Sequence, residues 1–174
     1  RMLTSRMDRE RFEQILVCSD DFRREEYEDF VDEFVQVHEM QNALSPSKVG
    51  MAVKRVRALI RQWKPDVVYC HSSKGGGIGR LAALGLGVKV MYNPHGWAFS
   101  MKGSKVKSWI YLMIERTLAH ATDQFVMISN YEKMLAVQRH VGKADRMKVI
   151  FNGVDTENIR KAVALSIISR RDIG

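Results

Sequence analysis

Residues 67–96 read Val67-Val68-Tyr69-Cys70-His71-Ser72-Ser73-Lys74-Gly75-Gly76-Gly77-Ile78-Gly79-Arg80-Leu81-Ala82-Ala83-Leu84-Gly85-Leu86-Gly87-Val88-Lys89-Val90-Met91-Tyr92-Asn93-Pro94-His95-Gly96. The opening five residues are short, apolar and β-branched at the start, as in a buried strand. Small residues and glycines follow, which suits a tight turn where backbone comes close to something. From Ile78 to Leu86 the apolar residues are dense and mostly unbranched, as in a buried helix. A second strand, Val88 to Tyr92, ends in Asn93-Pro94-His95-Gly96. Strand, glycine turn, helix and strand make a βαβ unit. Its two polar turns fall at the carboxyl ends of the strands, the edge where open α/β sheets bind ligands.

Working outward, Val49 to Trp63 places Val49, Ala52, Val53, Val56, Leu59, Ile60 and Trp63 at helical spacing, with Lys54, Arg55, Arg57 and Arg61 on other faces. Asn42 to Gly50 reads as a loop with Ser45-Pro46-Ser47 as helix-start signals. Ile15 to Ser19 is a strand, and Phe34 to His38 a brief one. Between them, Asp20 to Phe34 is acidic with Phe22, Tyr27, Phe30, Val31 and Phe34 at three- and four-residue steps, which predicts a short surface helix. Arg1 to Phe12 resembles the tail of an amphipathic helix with no strand before it, so the chain is expected to begin inside its domain. Beyond the βαβ unit, Trp97 to Met101 reads as a partly apolar loop and Lys102 to Lys107 as a basic one. Helices are predicted over Ser108 to His120 and Tyr131 to Val141, strands over Phe125 to Ile128 and Lys148 to Phe151, and a further helix over Asp155 to Asp172. Six strands alternating with helices predict an α/β fold, a doubly wound, mostly parallel sheet with right-handed crossovers.

The 174 residues suffice for one domain, and 45% hydrophobic with 28% charged residues is an ordinary globular composition. No apolar run approaches the roughly 20 residues of a membrane span. Cys18 and Cys70 each fall in a predicted strand without metal-ligand spacing, as reduced core residues do, which points to a cytoplasmic setting. The net charge of +8 is unevenly placed. Residues 20–39 hold nine Asp/Glu against two Arg, whereas residues 40–122 hold thirteen Lys/Arg against Asp66 and Glu115. The acidic run reads as a solvated face, and the basic half as a surface for an anionic partner. Lys102, Lys105 and Lys107 beside Trp109 and Tyr111 suit anionic lipid headgroups. Nucleic acid is disfavoured, because no recognised binding motif accompanies the charge.

Lys74, Gly75, Gly76 and Gly77 stand where a helix begins, so unpaired N–H groups and the positive helix end favour an anion, phosphate above all. The bland alternative is that the glycines only permit a turn and close packing. Gly77-x-Gly79-x-x-Ala82 matches the dinucleotide fingerprint formally, but the next strand ends without the acidic residue that holds a ribose. His95, between Pro94 and Gly96, is placed to bond a sugar hydroxyl or phosphate, and Gly96 lets a ligand approach the backbone. His71, at the neighbouring strand end, is a weaker candidate. No His/Cys/carboxylate cluster has metal spacing, and no nucleophile motif occurs.

Four segments, Lys64-Pro65-Asp66-Val67-Val68 with His71-Ser72-Ser73-Lys74-Gly75-Gly76, Asn93-Pro94-His95-Gly96-Trp97-Ala98-Phe99, Ile114-Glu115-Arg116 and Val149-Ile150-Phe151-Asn152-Gly153-Val154-Asp155, stand in the order and spacing of glycosyltransferase family 4. The chain resembles that family's N-terminal, acceptor-side domain, most closely over Ser45 to Asp155. The resemblance implies one Rossmann-like half of a GT-B fold over residues 1–155, lacking the family's first strand, with 156–174 as a helical linker towards an absent C-terminal donor domain. It implies retaining transfer from a nucleotide-sugar co-substrate, with no metal or other cofactor, to a glycan or lipid-linked acceptor. The donor would be shared with the absent domain, so the fragment is expected to be inactive alone. By the same resemblance His95 reaches the transferred sugar as the catalytic contact. His71, Lys74, Gly75, Gly76, Gly77, Gly96 and Asn152 bind substrate, and Asn152 to Asp155 helps form the hinge. The competing reading is a non-catalytic module that binds an anion or an anionic membrane surface.

Overall fold

The computed structural model describes residues 4–41, 45–154 and 156–164. The expected parallel α/β architecture is present. Strands β1 (Ile15–Cys18) and β2 (Glu33–Gln36) pair in parallel, with Ile15 opposite Glu33 and Cys18 opposite Gln36. Strands β3 (Val67–His71), β4 (Lys89–Asn93), β5 (Gln124–Met127) and β6 (Met147–Val149) form a second, wholly parallel sheet in chain order. Cys70, Tyr92, Phe125 and Met147 lie side by side in that register and are all buried.

Helix α1 (Pro46–Trp63) starts three residues before its predicted position, with Pro46 at its first turn and Ser45 at the N-cap. It turns Ala52, Val56 and Ile60 inward and ends where Lys64 adopts a left-handed conformation and donates to the Ile60 carbonyl. It packs on α2 (Ser73–Ala83), and Arg57 donates to the Ala82 and Leu84 carbonyls at the end of that helix. Helix α2 takes in the whole glycine run, so the predicted turn is a first helical turn. Two of its glycines are packing residues. A Cβ at Gly76 would overlap the Tyr92 ring, and one at Gly79 would come within 2.5 Å of Cys70 Sγ.

The layer is locked by a buried charge. Arg80 on α2 is fully enclosed and donates from Nε to the Gly76 carbonyl at 2.8 Å and from Nη2 to Glu115 Oε2 at 2.9 Å. Glu115, on α3 (Lys105–Leu118), also accepts from the Tyr92 hydroxyl at 2.9 Å, and the guanidinium lies 3.8 Å above the Tyr92 ring. Burial, then the negative charge of Glu115, raise the Tyr92 hydroxyl well above the ordinary phenol range. Among the described residues, Arg80 Nη1 has no protein acceptor. Among the described residues the opposite sheet face is only partly covered. Val67 (46% exposed) and Ile150 (55%) line a groove there with Lys89, Met91, Gln124, Val126 and Lys148.

Two predicted helices do not form. Residues 20–32 make only a 3-10 turn at Arg24–Glu26. Glu25, Glu28, Asp29 and Asp32 would repel at helical spacing, and Tyr27, Val31 and Phe34 instead close a small second core with Leu16 and Cys18. Residues 4–12 hold one 3-10 turn, Thr4–Arg6, and Arg9 pairs with Asp32 at 2.9 Å. Trp97 and Phe99, expected in a loop, are core residues stacked on each other. Helix α4 (Asn130–Gln138) follows β5, and α5 (Thr156–Ala164) falls within the helix predicted over Asp155 to Asp172. The proposed continuation to Asp172, and Asp155 itself, lie outside the described residues.

Removing Glu115 strands a buried cation, whereas removing the Tyr92 hydroxyl deletes one hydrogen bond. Denaturant unfolding is expected to show Glu115→Ala destabilised by about 3–5 kcal/mol and Tyr92→Phe by about 1–2 kcal/mol. Equal losses would show that the charge pair is not the lock.

Candidate functional site

The carboxyl edge of the larger sheet brings the two predicted strand ends together. His71 closes β3, and its Nδ1 lies 3.0 Å from Nε2 of His95, with the rings stacked at 5.3 Å. Tyr69, two residues back on the same face of β3, packs its ring 4.2 Å from that of His71. His95 is held in a left-handed conformation, φ 51°, with Gly96 following at φ 111°. The turn has two anchors. The Asn93 side chain accepts from the His95 backbone N–H at 3.0 Å, and buried Trp97 donates from its indole to the Glu132 carbonyl on α4 at 3.1 Å. His95 and Gly96 are the exposed pair between these buried anchors, and a Cβ at Gly96 would meet open space.

Ser72 links the strand end to α2. It takes a positive φ of 62° and accepts from the Gly75 N–H through its hydroxyl. Its own N–H goes to the Asn93 carbonyl, and the Gly76 N–H is the first to reach a carbonyl of its own helix turn, that of Ser72. The Ser73 and Lys74 N–H groups remain as first-turn donors, under the positive end of the helix dipole and beside the exposed Lys74 side chain. Gly75 has only the Ser72 hydroxyl in ordinary contact, and Gly77 has nothing within reach of a Cβ. A glycine inside a helix costs about 1 kcal/mol relative to alanine. The packing that explains Gly76 does not explain Gly75 or Gly77, and open space at an anion-favouring helix end does.

Thus His71, Lys74, Gly75, Gly77, His95 and Gly96 share one edge, and Gly76 faces the sheet. Asn152 lies apart, in exposed coil after β6. Three strand spacings separate β6 from β3, about 14 Å. Missed in the sequence were the Ser72 cap and the Arg80–Glu115–Tyr92 lock that fixes α2. The signals for them were the S-x-x-G pattern, an isolated arginine in an apolar helix and the Ile114-Glu115-Arg116 segment, whose role the sequence did not show.

Burial of the His71 ring, then repulsion from His95, lower its pKa from the ordinary 6.5 to about 4. His71 is therefore neutral at physiological pH and partners His95 without adding charge. Because the unfolded chain takes up this proton first, the stability it contributes is present above pH 6.5 and is lost as pH falls towards 4. His71→Gln is expected to flatten the rise of the urea midpoint between pH 4.5 and 6.5. An unchanged slope would assign that dependence to other groups.

The model of Glycosyltransferase Family 4 matches residues 1–158. EpsD of Bacillus subtilis (strain 168), whose name assigns it provisionally to the glycosyltransferases, is 31% identical over 137 residues, covering 75% of this chain and 35% of that protein. An Escherichia coli protein named UDP-Gal:alpha-D-GlcNAc-diphosphoundecaprenol alpha-1,3-galactosyltransferase is 31% identical over 117 residues, 67% of this chain and 30% of that one. The chain thus spans about a third of the length of these relatives. Among solved structures, UDP-N-acetylglucosamine 2-epimerase from Rickettsia bellii superposes with a TM-score of 0.61 at 12% identity, over 88% of this chain and 42% of that one. Anabaena Alr3699/HepE, solved with UDP and glucose, gives 0.53 at 18% identity, over 80% and 38%. These two share the fold, one Rossmann-like half of a GT-B architecture. By sequence, the chain belongs to glycosyltransferase family 4.

Proposed function

We propose that this domain is the acceptor-side half of an enzyme that moves a sugar from a nucleotide-sugar to a glycan or lipid-linked acceptor with retention of configuration. The observation that supports it most is the meeting, at one sheet edge, of the His71–His95 pair with the open first turn of α2. In the transfer, the bond between the sugar's anomeric carbon and the diphosphate breaks. The acceptor hydroxyl bonds to that carbon and gives up its proton to the departing diphosphate, and the nucleoside diphosphate leaves. Lys74 and the Ser73 and Lys74 N–H groups face the negative charge that grows on the departing diphosphate. His95 hydrogen-bonds the transferred sugar, and neutral His71 fixes the orientation of that imidazole. Gly75, Gly77 and Gly96 leave room for the substrates. Asn152 belongs to the approach to a second, donor-side domain that completes the cleft, so the chain alone does not turn over.

The nucleotide-sugar is a co-substrate, and the proposal assigns no resident cofactor or metal. Among the described residues no three His, Cys, Asp or Glu side chains cluster as a metal site. The lipid-linked acceptor is supported by the name of the Escherichia coli relative. A cytoplasmic setting is supported by two free, buried cysteines, each raised to about 11 chiefly by burial.

In the full-length protein, supplied with nucleotide-sugars and a short-chain lipid diphosphate acceptor, His95→Ala is expected to lower kcat about 10²-fold or more; unchanged turnover would remove His95 from the site. Gly77→Ala separates approach from packing. It is expected to stabilise the fold by up to about 1 kcal/mol, read as a higher unfolding midpoint, while weakening nucleotide-sugar binding. Unaltered binding would show that the open turn does not meet the donor.

A further inference from the structure

Helix α3 is apolar on both sides. Leu112, Glu115 and Leu118 turn inward. Outward stand Val106 (67% exposed), Trp109 (63%), Ile110, Met113 and Ile114. At about 100° per residue these five fall within an arc of about 140°, opposite the buried face. Lys105 and Lys107 project at the two margins of that arc, and Lys102 precedes the helix beside Met101, 71% exposed. No acidic residue occurs from Met101 to Ile114, and the first turn adds the positive end of the helix dipole. Tyr111, expected beside these lysines from the sequence, is instead half-buried against the core.

We propose that this outward face of α3, with the Met101–Lys102 loop, docks the domain on an anionic lipid bilayer. An apolar stripe with lysines at both margins and tryptophan within it is the pattern of a helix lying in a membrane interface, its stems reaching along the apolar surface and its ammonium groups among the headgroups. The core of a protein–protein contact is instead poor in lysine. The position fits as well. Helix α3 follows β4 through the Trp97–Ser104 segment, so its amino-terminal end lies at the same sheet edge as His95. Docking there brings that edge to the membrane surface where a lipid-linked acceptor is anchored. The inference deepens the lipid-linked reading of the acceptor and rests on it for its purpose, though not for its geometry.

Co-sedimentation of the chain with vesicles tests it. Binding is expected to vesicles containing phosphatidylglycerol at low salt, at least tenfold weaker to pure phosphatidylcholine, with a blue shift of Trp109 emission that Trp109→Phe removes. The exposed double variants Ile110→Ser with Met113→Ser, and Lys105→Glu with Lys107→Glu, are each expected to cut binding tenfold or more at unchanged circular dichroism. The proposal is overturned by no binding to anionic vesicles, or by binding that both variants leave intact. It is equally overturned by lipid-free dimerisation that Ile110→Ser with Met113→Ser abolishes, which would give the face to a second copy of the chain. Transfer by the full-length protein to a detergent-dispersed acceptor is scored separately. Vesicle binding without transfer retires the transferase reading alone, and transfer without vesicle binding retires the docking surface alone.

Discussion

A guanidinium with no exposure sits at the junction of α2, α3 and β4, and the position of the site follows from how it is satisfied. Taking Arg80 out of water costs several kcal/mol unless a partner stands close. Glu115 is that partner, and it is shared with the Tyr92 hydroxyl. The geometry works only if α2 lies directly on the Tyr92 ring, which the missing Cβ of Gly76 allows. The same residue's carbonyl accepts from Arg80 Nε. One glycine therefore both admits the ring and anchors the cation. The first turn of α2, four residues upstream of Arg80, inherits that rigidity.

From β4 the constraint passes to His95. Tyr92 is fixed beneath α2, Asn93 bonds the His95 N–H, and Trp97 packs edge-on against Tyr92 while its indole holds α4. Only His95 and Gly96 escape burial between those anchors. On the neighbouring strand, His71 meets His95 at 3.0 Å through a partly desolvated ring packed on Tyr69. Two exposed residues are thus aimed by a buried frame, which is the arrangement a binding contact needs if its geometry is to persist without ligand.

The fold was legible where periodicity and punctuation agreed. Val67 to His71 is a strand over the residues read from its β-branched run, and the 49–63 pattern marks α1 up to its first turn. It failed where a helical spacing of aromatics competed with like charge. Phe22 to Phe34 looked amphipathic, but the acids between those rings oppose a helix and the apolar side chains had β1 and β2 to cover instead. Trp97 and Phe99 were missed because a turn residue's burial depends on contacts across the fold, here with Tyr92 and α4. The two histidines were legible from their places at strand ends. Their mutual contact was not, since it depends on the parallel register that sets His71 opposite Asn93.

Where local sequence and fold disagree without compensation, the disagreement is informative. Gly75 and Gly77 weaken a helix and face no packed atom that would require them. The outward face of α3 exposes Trp109, Val106 and Ile110, although a helix apolar on all sides belongs in a core. Gly76 and Gly79 would look like the same anomaly in sequence, yet Tyr92 and Cys70 account for them fully. The residues left unexplained by packing are the first turns of α2, at the carboxyl edge of the sheet, and the outward face of α3 from Val106 to Ile114. That edge, with its histidine pair, is where the proposed site lies.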